Sequence, residues 1–113
     1  MNNRLVIFLM AMLFLLFKIN TRAQHTFPSA EEIKNSKLTY RIIDGPQHTF
    51  GYDILRNDTL FIRQSVKPAM QGNTGFKSKK DASDVAEYVI SKMYKGEVPP
   101  SISLEEMKKL NIQ

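Results

Sequence analysis

Residues 50–66 have the sequence FGYDILRNDTLFIRQSV, and this stretch decides the fold. Apolar and polar side chains alternate on both sides of Asn57-Asp58, which is the pattern of two half-buried β-strands. Asparagine and aspartate tolerate a left-handed backbone, so this pair suits the tight turn of a β-hairpin. We therefore predict antiparallel strands over 50–56 and 60–66.

The register of this hairpin has two solutions. A two-residue turn pairs Leu55 with Leu60. A three-residue loop over 57–59 pairs Ile54 with Ile62 instead and gives a cleaner apolar face. A slip of one residue exchanges the two faces of a strand, so the difference matters. We favour the longer loop or a bulge.

The segments on either side complete the pattern. Residues 38–44 alternate in the same way and predict the first strand. Residues 81–95 carry apolar side chains at helical spacing, with Asp81 as the predicted N-cap. Ser103 begins a capping box, which predicts a short helix to about Leu110. The order predicts an α+β domain in which one amphipathic helix covers a small antiparallel three-stranded sheet.

Both predicted helices have one apolar face. Gly96 suits the C′ position of the longer helix. The apolar stripe of this helix comprises Ala82, Val85, Ala86, Val89, Ile90 and Met93. In the short helix, we expect an inner face formed by Leu104, Met107 and Leu110.

The N-terminus has the layout of a secretory signal peptide. A basic start ending at Arg4 precedes the apolar run LVIFLMAMLFLLF over 5–17, and small residues follow at Thr21 and Ala23. The run is shorter than the about 20 apolar residues that span a bilayer. We predict a signal peptide over 1–23, cleaved after Ala23, and export to the periplasm or cell surface. The alternative is an uncleaved N-terminal anchor in the inner membrane.

Residues 24–37, QHTFPSAEEIKNSK, are polar and follow no sustained period. Ser29 to Glu32 fits a capping box that would start one helical turn. We predict a flexible N-terminal tail here and a single α+β domain over 38–113.

Composition narrows the function classes. The chain of 113 residues has a formal net charge of +5 and no cysteine. Three of its basic residues and none of its acidic residues fall in the predicted signal, so the remaining chain is close to neutral. Such a domain has little electrostatic reason to bind nucleic acid or an anionic membrane. We expect no cofactor, no disulfide and no membrane span after signal cleavage.

The loop over 71–80, QGNTGFKSKK, is the candidate binding segment. Two residues separate Gly72 from Gly75, whereas a phosphate-binding P-loop has four residues between its glycines and a Lys-Ser or Lys-Thr pair directly after them. The spacing also matches the GxxG loop of KH modules, but a strand and not a helix precedes it here. The simplest interpretation is that the glycines serve backbone geometry and Phe76 closes the core. A second alternative is a nucleic-acid interface formed by Lys77, Lys79 and Lys80.

The sequence offers few residues that could form a catalytic group or a metal site. The histidines are His25 and His48, and neither has a second histidine or a carboxylate at a metal-ligand spacing. We predict no metal site and no enzymatic activity. The alternative is a small hydrolase or transferase that uses His48 with a strand residue such as Ser65 or Asp53.

Several short motifs together resemble a known family. In chain order they are GYDI at 51–54, IRQ at 62–64, PA at 68–69, GNTGF at 72–76, DA at 81–82, VA at 85–86, PP at 99–100 and LEEM at 104–107. Over about residues 50–112 the chain resembles a family of small exported Bacteroidetes proteins, the domain of unknown function 4907. The resemblance implies export and a compact domain, and it implies no activity. A histidine and an isoleucine of the family pattern are replaced here by Arg63 and Lys67.

The prediction is therefore a non-enzymatic binding module of the periplasm or cell surface. Its partner would be a protein, an envelope component or a second copy of the chain. The resemblance implies that most of the candidate contact residues form one recurring surface. These candidates are Gln64, Lys67, Pro68, Gly72, Gly75 and Phe76.

Overall fold

The structure, a computed structural model, describes residues 26–113. The predicted signal peptide, its cleavage after Ala23, and His25 lie outside the described residues. The elements are α1 (Ala30–Lys34), β1 (Leu38–Asp44), a 3₁₀ turn (Pro46–His48), β2 (Phe50–Arg56), β3 (Thr59–Gln64), α2 (Lys79–Tyr94) and α3 (Leu104–Lys109). In this part of the chain, no helix has both the length and the apolar character needed to cross a membrane.

The three strands form one antiparallel sheet in the order β1-β2-β3. This confirms the predicted α+β class and the order of strands and helices. Side chains alternate between an inner face and an outer face of the sheet. The inner face carries Tyr52 and Ile54 at its centre, which are 2% and 0% exposed.

The hairpin between β2 and β3 contains parts of both predicted registers. Asn57 and Asp58 form a two-residue turn with φ angles of 51° and 66°, so Leu55 lies opposite Leu60. The register then shifts at a β-bulge between Ile54 and Leu55, and Ile54 lies opposite Ile62. The extra residue of the bulge is Phe61. A bulge inserts one residue into one strand, which reconciles the short turn with the apolar inner face.

The third strand ends earlier than predicted, at Gln64 and not at Val66. The position beside Phe50 is taken by Phe76, which forms an isolated antiparallel bridge. The Phe50 amide donates to the Phe76 carbonyl at 2.9 Å, and the Phe76 amide donates to the Phe50 carbonyl at 2.7 Å. Phe76 thus supplies the backbone hydrogen-bond partners of Phe50. The chain after Gln64 does not pair with Phe50 and forms the loop over 65–75.

Helix α2 begins two residues before the predicted start. Its N-cap is Ser78, whose Oγ accepts a hydrogen bond from the Asp81 amide at 3.1 Å. The prediction of Asp81 as the N-cap is therefore wrong, and this residue lies in the first turn. The predicted C′ glycine is confirmed, because Gly96 has a φ of 102° and follows the C-cap residue Lys95.

Helix α2 lies across the inner face and packs against β1 and β2. Its predicted stripe is buried except for Ile90, which is half-buried at the helix margin. In α3, Met107 is 0% exposed, but Leu104 is 44% exposed although an inward position was expected. Ile112, just after the short helix, is buried at 4% and joins the core in the same region.

The segment before β1 differs from the predicted flexible tail. Helix α1 is capped by Ser29, and Ile33 within it is 0% exposed and belongs to the core. The Tyr94 hydroxyl donates to the Ser36 carbonyl at 3.0 Å, which ties the same segment to α2. The few apolar residues of this polar stretch follow no regular spacing, so the pattern of 24–37 did not indicate burial.

Candidate functional site

An apolar groove lies on the inner face of the sheet beside β3. Helix α2 packs mainly on the other two strands, which leaves this part of the inner face open. The groove has a volume of about 310 Å³. Tyr52 and Ile62 form its floor, and Val89 of α2 forms one side.

The link between α2 and α3 forms a second wall. Pro99, Pro100 and Ile102 line the groove from this link, and Pro68 lines it from the loop after β3. Proline backbones lack an amide hydrogen and have a fixed φ, so this wall is stiff and largely apolar. It is suited to contact with an extended chain or an apolar side chain.

Polar groups at the groove are few. Gln64 and Ser101 lie among the lining residues, and the Gln64 side-chain amide donates to the Val66 carbonyl at 2.6 Å. Burial raises the pKa of Tyr52 to about 12, so its phenol stays neutral at physiological pH. The groove therefore offers neutral hydrogen-bonding groups and no charged group among these three.

An aromatic side chain of the protein itself already contacts the groove. Phe27 is among the lining residues and is 37% exposed. Its ring centroid lies 5.1 Å from that of Phe61, the bulge residue of β3. The Arg56 guanidinium lies 6.0 Å from the Phe61 centroid. The β3 side of the groove thus has an aromatic surface on which a further ring can pack.

The link that forms the wall is held in place by Lys92 of α2. The Lys92 side chain is 14% exposed, and its Nζ lies 2.9 Å from a Glu97 carboxylate oxygen and 2.8 Å from Glu106 Oε2. The same Nζ donates to the Ser101 carbonyl at 2.5 Å. Tyr88, one turn earlier on α2, donates its hydroxyl proton to Glu106. These bonds fix the start of α3 against α2 and so fix the groove wall.

The groups of this network shift one another's pKa values. Hydrogen bonds from Lys92 and then from Tyr88 lower the pKa of Glu106 to about 2. Burial works to lower the pKa of Lys92, but its bonds to Glu106 and Glu97 outweigh burial and raise it. The pKa of Tyr88 is raised, chiefly by its bond to Glu106. Each group is held in its usual protonation state, which is the behaviour of a structural clamp.

The six candidate contact residues do not form one surface. Gln64 and Pro68 meet in the groove. Lys67 instead extends toward the C-terminus, where its Nζ donates to the Gln113 carbonyl at 2.9 Å. Gly72 has a φ of 107°, and a Cβ atom on it would have no neighbouring atom within 4 Å, so it lies at an open turn.

Gly75 and Phe76 belong to the packing of the domain. A Cβ atom on Gly75 would lie 2.8 Å from the Ser65 carbonyl oxygen and closer still to that of Phe50. Phe76 is 0% exposed, and its ring centroid lies 6.0 Å from that of Tyr52. Phe76 thus closes one end of the core, as the simplest interpretation of the loop predicted.

The lysines of the loop are dispersed. Lys80 pairs with Asp84 at 2.7 Å, and Lys79 lies 5.8 Å from the centroid of the Phe50 ring. Lys77 approaches the side chain of Gln113 at 3.5 Å. The three ammonium groups therefore contact different neighbours within the protein.

His48 is exposed in the 3₁₀ turn with a φ of 61°. Within residues 26–113, no hydrogen bond joins its side chain to a serine or carboxylate. Its suggested partner Asp53 is bonded to Arg41 and Arg63 instead. Over the same residues, no group of three or more histidine, cysteine, aspartate or glutamate side chains has the geometry of a metal site.

Sequence reasoning missed most of the groove. Its residues come from five separated segments, and Pro99-Pro100 was interpreted only as an extended link. The proline pair was the one local signal, since two prolines fix an exposed, extended backbone. The position of Phe27 had no signal at all.

Comparison with known proteins identifies a family. No curated protein and no solved structure gives a significant match to the chain. A family model, described as Domain of unknown function (DUF4907), matches residues 43–109, which is more than half of the chain. The match spans β2, β3, α2 and α3 and includes every groove residue named above except Phe27. The chain therefore belongs to the family Domain of unknown function (DUF4907).

Proposed function

We propose that this protein is a non-enzymatic module that binds an extended segment of a protein or envelope partner in the groove beside β3. The observation that carries the proposal is the open inner face of β3, which has an apolar floor and a stiff proline wall. Apolar surface left open in a small domain marks a contact site when it is concave and has few polar groups.

The size of the groove favours a side chain over a large ligand. A volume of about 310 Å³ is near the lower limit of small-molecule pockets, which is roughly 300 Å³. Phe27 itself lines this space, and an aromatic or aliphatic side chain of a partner suits such apolar surroundings. The partner we propose presents such a side chain from an extended backbone.

The position of the groove supports the same partner. β3 is an edge strand, and an edge strand has unpaired backbone groups along one side. A segment that pairs with this edge places alternate side chains over the inner face of the sheet. Backbone pairing would supply affinity, and the groove would select the side chain.

We also propose that the protein is exported. The basic start, the short apolar run and the small residues before Gln24 favour a cleaved signal peptide. We place the module in the periplasm or at the cell surface on this basis. Apart from Tyr52, the residues that line the groove have no ionisable side chain. Acid–base catalysis needs an ionisable group at the substrate. The proposal therefore contains no catalytic step.

The test is cross-linking of the tagged protein in its native cells, followed by mass spectrometry. The groove variant is Ile102→Lys, which places a charge on the apolar wall. The matched control is Leu104→Lys, because Leu104 lies two residues away but is 44% exposed and outside the groove. Circular dichroism verifies that both variants fold.

We expect the wild type and Leu104→Lys to capture the same partner and Ile102→Lys to lose it. Capture of that partner by all three proteins would contradict the proposed groove. Failure of the wild type to capture any partner would contradict the proposed function. The same spectra report the N-terminus, and a chain that begins at Met1 would contradict the predicted cleavage after Ala23.

A further inference from the structure

The outer face of the sheet, opposite α2, carries a row of three charged residues. Arg41, Asp53 and Arg63 lie side by side on β1, β2 and β3. Arg63 donates from Nε to Asp53 Oδ1 at 2.7 Å and from Nη2 to Oδ2 at 2.9 Å. Arg41 donates from Nε to Oδ2 at 3.0 Å. One carboxylate thus holds two guanidinium groups.

The carboxylate of this row is buried, whereas both of its partners are exposed. The Asp53 side chain is 0% exposed, whereas those of Arg41 and Arg63 are 54% and 55% exposed. The guanidinium groups flank the carboxylate on the two neighbouring strands and contribute to its cover. Asp53 is therefore engaged within the protein, and the arginines present the charge of the row to solvent.

The row keeps a net positive charge. The hydrogen bond from Arg63 is the main cause that lowers the pKa of Asp53, although burial opposes it. The carboxylate is thus ionised at neutral pH and offsets one of the two arginines. Among the hydrogen bonds within residues 26–113, none uses Arg41 Nη1, Arg41 Nη2 or Arg63 Nη1. These donors are left for a ligand.

Asp53 also pre-orients both arginines. A guanidinium group is a planar fork that matches a carboxylate, and fixing its side chain in advance reduces the entropy lost on binding. In the next row of the same face, Leu55 lies opposite Leu60, and Leu60 is 46% exposed. The face therefore combines anchored positive charge with adjacent apolar surface.

We propose that this outer face binds an acidic segment of a partner protein. Arg41 and Arg63 take a carboxylate group of that segment, and Leu55 and Leu60 contact an aliphatic side chain next to it. The charge complementarity favours a peptide over nucleic acid or an anionic membrane, because those polyanions require several basic side chains spread over a surface. This site is separate from the groove, which lies on the opposite face.

The test is an NMR titration of the protein, purified after processing by the cell, with a terminally blocked hexaglutamate peptide. The probes are the arginine Nε–H resonances and the backbone amides of the sheet. We expect shifts at Arg41 and Arg63, since this peptide carries carboxylates and no aliphatic side chain for Leu60. Arg41→Lys keeps the charge but loses the fork, and we expect it to weaken binding about fivefold. Arg56→Lys is the matched control, since Arg56 lies at the end of β2 on the inner face, and it should bind as the wild type does.

A second variant separates anchored arginines from general attraction. Asp53→Asn makes the protein more positive but removes the group that orients both arginines. The proposal expects weaker peptide binding, whereas simple charge attraction expects tighter binding. If Asp53→Asn fails to fold in thermal melts, Arg41→Lys alone decides.

Other results would overturn the proposal. These are wild-type affinity in Arg41→Lys, tighter binding by Asp53→Asn, and peptide shifts confined to residues 77–80. Phosphatidylglycerol vesicles and inorganic phosphate are the comparison ligands. If either binds through Arg41 while the hexaglutamate peptide does not, the ligand is an anionic surface or phosphate and not an acidic protein segment.

Discussion

At Gly75, neighbouring main chains leave no room for a side chain. A Cβ atom there would lie 2.8 Å from the Ser65 carbonyl oxygen and closer still to that of Phe50. Its amide donates to Thr49 Oγ1 at 2.8 Å, so the backbone cannot move away without losing this bond. At Gly72, by contrast, the φ of +107° is the constraint and the surrounding space is open.

The two glycines should therefore respond differently to the same substitution. We expect Gly75→Ala to lower the free energy of unfolding by roughly 2–4 kcal/mol, because two neighbouring segments, at Thr49-Phe50 and at Ser65, must shift. We expect Gly72→Ala to cost about 1 kcal/mol, which is the strain of a left-handed residue with a Cβ. Urea unfolding of both variants measures this. Equal destabilisation would show that the close contacts at Gly75 are relieved without cost.

The sequence pattern identified these glycines but could not distinguish their structural roles. The spacing of the loop predicted that both serve backbone geometry, and it ruled out a P-loop. A sequence does not show which glycine faces a neighbouring strand, because the neighbours of Gly75 are Thr49, Phe50 and Ser65, which are distant along the chain. The two glycines are alike only in the sequence pattern.

Among the elements, the contact of α3 with α2 depends on one carboxylate. Glu106 completes the capping box of α3 with Ser103 and also accepts bonds from Lys92 and Tyr88 of α2. Its pKa in the folded protein is about 2, below the ordinary value of 4.5. A carboxyl group with a lowered pKa stabilises the fold above its unfolded pKa. This stabilisation is lost as the pH falls from about 4.5 toward 2.

We predict that Glu106→Gln lowers the midpoint of thermal unfolding at pH 7, since the clamp loses its charge. Between pH 4.5 and 2.5, the difference between wild type and variant should shrink, because the Glu106 carboxyl group of the unfolded chain takes up a proton in that window while that of the folded protein stays ionised. Thermal melts over this range test it. Glu105→Gln is the control, since Glu105 is exposed and makes none of these bonds. A difference that stays constant with pH would contradict the assigned pKa shift.

Periodicity predicted the elements well and their ends less well. Alternation located β1 and β2, and the stripe of α2 is buried almost as expected. Ser78 and Asp81 are both good N-caps, so residue type could not choose between them. The bulge at Phe61 follows from a conflict between the Asn57-Asp58 turn and the inner face, and the resolution of that conflict depends on packing.

For the molecule as a whole, the N-terminal segment is part of the core. Ile33 is 0% exposed, and α1 contacts α2. The Tyr94 hydroxyl donates to the Ser36 carbonyl and also accepts from the Leu38 amide at 2.9 Å. It therefore joins α2 to the chain between α1 and β1. In a domain of this size, one buried aliphatic residue is a sizeable part of the core.

We predict that Ile33→Ala lowers the free energy of unfolding by roughly 2–4 kcal/mol, as expected for a buried isoleucine that leaves a cavity. Lys34→Ala is the control, because Lys34 is the exposed next residue of the same helix. Urea unfolding gives both values. If the two variants were equally stable, the segment would behave as the flexible tail that its composition indicated.

The groove shows why function was harder to predict than fold. Strands and helices follow from neighbours in the chain, whereas the groove brings together Phe27, Ile62, Val89 and Pro99. No local pattern records that α2 covers two strands and leaves the third open. Of the six predicted contact residues, the two that line the groove, Gln64 and Pro68, were named from the family resemblance and not from physical pattern.

The chain leaves the third strand position after Gln64 and returns to the same position at Phe76. The two backbone hydrogen bonds between Phe50 and Phe76 hold the end of this loop against the sheet. The number of residues between its ends is then free to vary, since doubling the length of a flexible loop costs only about 0.6 kcal/mol. Gly72, at the open turn, is thus a natural place to insert a reporter peptide or an epitope without rebuilding the sheet.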